Sequence, residues 1–156
     1  MSDTHTPVSR RRFCAGACQV ASCATLATFF SACGGSPTSP SAPAATLPVL
    51  PGQFASSRVQ VTVAGSALDN VGAAALVESV AGVFLLARTS ATAFTAVDAI
   101  CSHESCTITG SDGSAYVCPC HGSRYSRSGQ VLAGPAKASL RQFGTTFADG
   151  VVTIAL

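Results

Sequence analysis

Tryptophan is absent from the 156 residues, aromatic side chains make up only 6% and charged ones 10%, and there is a single methionine. A chain this poor in large side chains, and well supplied with glycine and proline, does not build a large helical core. It suits a β-rich, turn-rich one. Beyond the N-terminal apolar segment no stretch keeps a 3.6-residue period, and there is no internal repeat. Charge is missing in a telling way, since no Asp, Glu, Lys or Arg lies between Arg12 and Arg58. Of nine basic residues three are Arg10, Arg11 and Arg12, and of seven acidic ones Asp3 also lies near the start, so six of each remain from residue 33 onward. A neutral body has no electrostatic footprint for nucleic acid, which excludes that class of partner. Also lacking are a nucleophile–base pair, an open metal position and a phosphate-binding loop, so catalysis by the chain alone is not expected. The length allows one modest domain with extensions.

The eight cysteines fall into two fours. Cys14, Cys18, Cys23 and Cys33 lie in the N-terminal apolar segment, and Cys101, Cys106, Cys118 and Cys120 lie close together later on. The total is therefore no sign of a disulfide-rich scaffold. Ser9-Arg10-Arg11-Arg12-Phe13 has the form of a twin-arginine export signal, and the weakly apolar run from Phe13 to Ala32 follows it. Gln19, Ser22, Thr25 and Thr28 dilute that run, as suits a signal more than a stable span, although its length would also allow a retained membrane helix. Phe30-Ser31-Ala32-Cys33-Gly34 resembles a lipobox and makes Cys33 the lipidation candidate; the alternative is that Cys33 is one more small apolar residue. Either anchor leaves the C-terminal part facing the periplasm or the cell exterior, because the arginines stay inside.

Residues 1–33 thus read as a signal segment and 34–53 as a Ser/Pro/Ala-rich linker with prolines at 37, 40, 43, 48 and 51. Such a composition is expected to be extended, part polyproline II and part coil. From residue 54 to 156 the pattern turns to β. Val59, Val61 and Val63 alternate with polar positions, and apolar runs follow near 73–78, 83–88 and 93–100. Residues 113–117, 130–133 and 139–143 are further short candidates. Residues 145–148 and 151–156 flank Asp149-Gly150, a hairpin signal. About nine short strands predict an all-β domain of small stacked sheets.

Two boxes organise this domain: Cys-Ser-His-Glu-Ser-Cys from Cys101 to Cys106, and Cys-Pro-Cys-His-Gly-Ser-Arg-Tyr from Cys118 to Tyr125. Cys101-x-His103 and Cys118-x-x-His121 supply two thiolates and two imidazoles at metal-ligand spacing. That set suits an iron–sulfur centre in which two cysteines hold one iron and two histidines the other. It also suits a structural Cys2His2 zinc site, but zinc explains neither the spare cysteine in each box nor the Gly122-Ser123-Arg124-Tyr125 continuation. His5 is no ligand candidate. Arg124, in the second box, and Arg127, just after it, are expected as solvated loop charges, the alternative being that they face an acidic partner.

With these boxes the chain resembles the Rieske [2Fe–2S] proteins, and the resemblance implies their fold of small stacked antiparallel sheets with two cluster-binding loops. It implies that Cys101 and Cys118 bind the inner iron, His103 and His121 the outer one, and that Cys106 and Cys120 form a disulfide between the loops, which an oxidising compartment would preserve. In the high-potential branch the positions of Ser123 and Tyr125 donate hydrogen bonds to a bridging sulfide and to the first cysteine's thiolate, raising the potential. Gly134-Pro135-Ala136 matches the proline loop that covers the cluster. One-electron transfer to redox partner proteins is the implied activity. Two contexts fit it: a separate carrier or small subunit of a periplasmic oxidoreductase such as arsenite oxidase, with partners such as cytochrome c, or the iron–sulfur subunit of a cytochrome bc-type complex that oxidises quinol beside a cytochrome b. Glu104 and Ser105 stand where the bc pattern has leucine and glycine, which favours the first. A twin-arginine route, which exports folded proteins, agrees with a cluster inserted before export. Mass spectrometry of the protein from its membrane is expected to find a chain starting at an acylated Cys33; a mass that includes residues 1–32 would mean the helix is retained.

Overall fold

The computed structural model describes residues 44–156, so Arg10, Arg11 and Cys33, and with them the export and lipidation expectations, lie outside the described residues. Among the described residues no helix is long and apolar enough to cross a membrane. The described residues form thirteen strands: β1 (Ala45–Thr46), β2 (Val49–Pro51), β3 (Gln53–Ala55), β4 (Arg58–Thr62), β5 (Ala74–Ser79), β6 (Gly82–Arg88) and β7 (Phe94–Asp98), then β8 (Gly110–Ser111), β9 (Tyr116–Val117), β10 (Arg124–Tyr125), β11 (Val131–Ala133), β12 (Gln142–Ala148) and β13 (Val151–Ala155). They form an eight-stranded sheet in the order β2-β5-β6-β7-β12-β13-β4-β3 and a five-stranded one in the order β1-β8-β9-β10-β11. Every pairing is antiparallel except that of β2 with β5.

Side-chain alternation explains how the larger sheet divides the core. On β5 to β7, Leu76, Leu85 and Val97 pack with Ala99, Ile108, Tyr116 and Tyr125 on one side. Val77, Phe84, Leu86 and Ala96 pack with Val59, Val61, Val152 and Ile154 on the other. These central strands are buried on both faces, which is why they read as unbroken apolar runs. Strands β4 and β13 bury one face only, so Val59 and Val61, like Val152 and Ile154, alternate with exposed or half-buried neighbours. At the hairpin between β12 and β13, Asp149 and Gly150 both have positive φ, 51° and 75°, the conformation a two-residue turn of matching twist requires.

The domain is expected to start at residue 54. Strands β1 and β2 lie before it, Leu47 is buried, and its amide donates to the Thr109 carbonyl at 2.7 Å. Pro48 precedes and Pro51 ends a short edge strand, where the missing amide costs little. Other differences are smaller. Residues 139–143 and 145–148 contribute to one strand, β12, rather than two. Strands β8 and β10, each two residues long, carry too few side chains to show a period.

The two end strands of the larger sheet, β2 and β3, are consecutive in the chain and joined by Gly52, so the sheet curls until its ends meet there. A Cβ at residue 52 would lie 2.6 Å from Val59 Cγ1 on β4 and 2.8 Å from Val77 Cγ1 on β5. Substituting Gly52→Ala is expected to lower the urea midpoint, at a cost of about 1–3 kcal/mol from overpacking. An unchanged midpoint would mean that the closure is loosely packed.

In the smaller sheet, the turn between β8 and β9 is built on Asp112. Its carboxylate accepts from the Ala115 amide (2.8 Å) and from the Ser114 amide and hydroxyl (3.0 and 2.9 Å), and it pairs with Arg124 on β10. The Ala115 amide lowers its pKa most; burial opposes this, but Ser114 and Arg124 add to the lowering, and the group sits well below the usual carboxylate range. A depressed folded pKa means the stabilisation is present above the unfolded value of about 4 and is lost as pH falls below it. Asp112→Asn should therefore lose about 1–3 kcal/mol at neutral pH, with the gap to the parent closing in acid melts below about pH 4. A gap independent of pH would show that the charge contributes nothing.

Candidate metal centre

Both boxes are loops at one end of the central strands. The first follows β7: the Ile108 amide bonds back to the Ala99 carbonyl at 2.8 Å, and the Cys101 amide closes the loop on the Cys106 carbonyl at 2.8 Å. The second loop joins β9 to β10, closed by the Cys118 amide on the Ser123 carbonyl (2.8 Å) and the Gly122 amide on the Cys118 carbonyl (3.0 Å). A Cys106–Cys120 disulfide, with Cα atoms 6.6 Å apart, links the two. Cys101 and Cys118 remain free thiols and are buried. The His103 and His121 rings lie edge to face with centroids 4.9 Å apart, and ligand atoms of His103, His121 and Glu104 lie within 4.8 Å of one another.

Two short loops and one bridge thus bring all four expected ligands to one place. The cysteines face the core and the histidines the surface, with His103 half-buried and His121 exposed. Burial raises the Cys101 thiol, but hydrogen bonds from Tyr125, from the His103 and Glu104 amides and from Cys118 outweigh it and bring its pKa below the ordinary value. For Cys118 burial dominates and pushes the thiol up, and the neighbouring Cys101 sulfur adds to this. A buried thiol whose pKa is lowered by surrounding donors, as for Cys101, is suited to release its proton when a metal binds.

Three buried polar groups fit an iron–sulfur cluster in the same place. His103 Nδ1 is buried with no hydrogen-bond partner among the described residues. The Ser123 hydroxyl is fully buried and accepts from the Ala136 amide at 3.2 Å, leaving its own hydrogen without an acceptor among the described residues. Tyr125, also fully buried, has its hydroxyl 3.2 Å from the Cys101 sulfur. A zinc ion would account for the histidine nitrogen but offers the serine hydrogen no acceptor, whereas a bridging sulfide does.

Gly134 has a φ of 94°, and a Cβ there would come within 2.6 Å of Ser123 Cα, so only glycine lets the 134–138 segment lie against the second box. The same segment meets the first box, where the Ser102 hydroxyl donates to the Ala138 carbonyl at 2.5 Å. The expected proline loop is therefore tied to both cluster loops.

Arg124 and Arg127 depart from the expectation of solvated charges. Arg124 pairs with Asp112, and Arg127 stacks 4.6 Å from the Tyr116 ring centroid while donating to Ser111 and to the Gly113 carbonyl. Both guanidiniums serve the small sheet's own turns. Sequence reasoning missed Ser102, Ala138 and the amides of His103, Glu104, Cys120 and His121 that point at the sulfurs. Backbone groups carry no sequence signal, and a serine between two ligands has none of its own.

Comparison with known proteins agrees with this centre. The Rieske [2Fe-2S] domain profile matches residues 55–144, more than half of the chain. The cytochrome b6-f complex iron-sulfur subunit of Chlorobaculum tepidum is 33% identical over 63 residues, covering 40% of this chain and 35% of that protein. The subunit of the same name from Prochlorococcus marinus strain MIT 9211 is 47% identical over 45 residues, covering 28% and 25%. The chain spans about a third or less of the length of these curated relatives. Among solved structures, a cyanobacterial plasma membrane Rieske protein from Synechocystis PCC 6803 is similar over 53% of this chain and 86% of its own, at 24% identity and a TM-score of 0.48. The ferredoxin of carbazole 1,9a-dioxygenase from Nocardioides aromaticivorans IC177 covers 62% and 96%, at 20% identity and a TM-score of 0.48. Neither score reaches 0.5, and the assignment rests on the profile together with the donor set. The chain belongs to the Rieske [2Fe–2S] domain family, whose cofactor is a [2Fe–2S] cluster.

Proposed function

We propose that the protein transfers single electrons outside the cytoplasm from a high-potential cluster, as a separate carrier or as the small subunit of a periplasmic oxidoreductase. Cys101, Cys118, His103 and His121 would hold the cluster, the cysteines from the core side and the histidines from the surface side, where a redox partner such as a cytochrome c can approach. The [2Fe–2S] group supplies the one-electron chemistry. The chain's residues orient it, exclude water from its inner half and set its potential. The observation that carries the high-potential reading is the pair of buried hydroxyls, Tyr125 against the Cys101 sulfur and Ser123 with an uncommitted hydrogen. Hydrogen bonds to cluster sulfurs stabilise the added electron and raise the potential.

The extracytoplasmic part rests on Arg10, Arg11 and the apolar run after them, with Cys33 or the run itself as membrane anchor. A disulfide between the loops agrees with an oxidising compartment.

A second context, the iron–sulfur subunit of a quinol-oxidising cytochrome bc-type complex, is favoured by the b6-f subunits among the relatives. Against it stands Glu104. Its side chain is 65% exposed at the tip and lies 3.8 Å from His121 Nδ1, and a carboxylate is costly to carry into an apolar quinol pocket. A cytochrome b gene beside this one would favour the second context, and a molybdopterin-enzyme or cytochrome c gene the first.

The purified, reduced protein is expected to be coloured and EPR-active, with a potential in the upper part of the roughly −150 to +300 mV Rieske range. Exchanging His121→Cys should lower that potential, because a neutral ligand becomes an anionic one. A colourless protein with stoichiometric zinc would overturn the reading, and a potential near the bottom of the range would remove the roles given to Ser123 and Tyr125.

A further inference from the structure

Ser102 lies between a cluster ligand and the segment that covers the cluster, and its hydrogen bonds cannot all be made independently. Its Oγ is 2.5 Å from the Ala138 carbonyl, which only accepts, so the single hydroxyl hydrogen is committed there. The same Oγ is 3.1 Å from Tyr125 Oη. With the serine hydrogen taken, that contact has to be made by the phenol hydrogen. Yet the phenol hydrogen is also the one aimed at the Cys101 sulfur, 3.2 Å away. The Ser102 amide donates to Tyr125 Oη at 3.2 Å and holds the phenol oxygen between the two acceptors. One hydrogen faces two acceptors at nearly equal distance.

We propose that Ser102 is a positioning residue that competes with the Cys101 sulfur for the Tyr125 hydroxyl hydrogen, and so limits how far Tyr125 raises the cluster potential. The proposal rests on the reading that Cys101 is a cluster ligand. While the Ala138 carbonyl keeps the serine hydrogen, Ser102 Oγ draws the phenol away from the sulfur. If the 134–138 segment withdraws, the serine hydrogen is free to turn to the phenol oxygen, and Tyr125 donates to Cys101 alone. The chain Ala138–Ser102–Tyr125–Cys101 therefore couples the seating of the covering segment to the potential. Gly134 against Ser123, and the Ala136 amide on the Ser123 hydroxyl, tie the same segment to the second box, so both potential-setting hydroxyls depend on one piece of backbone.

The test is a redox titration of the cluster-loaded protein, with EPR of each reduced variant reporting that the cluster is present. Ser102→Ala is expected to raise the potential by about a threefold to tenfold shift in the reduction equilibrium, tenfold being about 59 mV for one electron. Ser102→Thr, which keeps the hydroxyl, should stay at the parent value. In a Tyr125→Phe background, Ser102→Ala should have no effect, because the contested hydrogen is gone. A fall in potential, or a rise that persists in the Tyr125→Phe background, would overturn the proposal. So would an unchanged value, as when water takes the hydroxyl's place. If Ser102→Ala does not hold the cluster, Ser102→Gly makes the same deletion and is read against Ser102→Thr. Absence of the EPR signal from the parent protein would instead count against the cluster itself, so the two failures are distinct.

Discussion

A metal centre assembled from two loops is only as well defined as the distance between them, and here the Cys106–Cys120 bridge sets that distance. Neither cluster loop, residues 101–106 or 118–123, contains regular structure of its own. Each is closed by one or two backbone hydrogen bonds, which would leave it free to move as a unit relative to the other. A cross-link closing a loop of 14 residues removes about 3 kcal/mol of chain entropy from the unfolded state. More important for the centre, it holds Cys118 and His121 beside Cys101 and His103. The histidine rings meet edge to face and the two free thiols share a buried pocket as a result.

What the bridge does on one side, the 134–138 segment does on another. Its contacts with Ser123 and Ser102 reach both loops, and it shields Tyr125 and Ser123 from water. Shielding gives the hydrogen bonds their effect, since a hydroxyl that can turn to solvent has little reason to stay on a sulfur. The doubly buried sheet of β5 to β7 forms the floor beneath these loops, and Cys101, Cys118 and Tyr125 belong to the same apolar cluster as Leu85 and Val97. The centre thus grows out of the core, with its histidine side alone turned outward.

Charges in this region are handled locally. Asp112 and Arg124 neutralise each other, Arg127 lies over Tyr116, and Glu104 stands exposed beside His121. The tip therefore carries a carboxylate and two imidazoles, and its flanking guanidiniums are turned inward. Such a surface is better suited to a polar protein face than to an apolar pocket.

Much of this was legible in the sequence because metal chemistry demands particular side chains at particular spacings. Cys101, His103, Cys118 and His121, the spare cysteines, and the Ser123 and Tyr125 positions all follow from the two boxes and the family they resemble. The half-buried strands β4 and β13 follow from valine alternation, and the last hairpin from Asp149-Gly150. Short strands such as β8 and β10 were not legible, since two residues hold no period. Nor was the recruitment of residues 45–53, whose proline-rich composition resembles a linker's until a sheet edge is there to receive it. Only the tertiary structure decided that Arg124 and Arg127 turn inward, and that Ser102 and Ala138 share the tyrosine's surroundings. Ligand identity is a property of side chains, which the sequence carries directly. Hydrogen-bond allocation depends on distances between segments far apart in the chain, and these exist only once the sheets have brought them together.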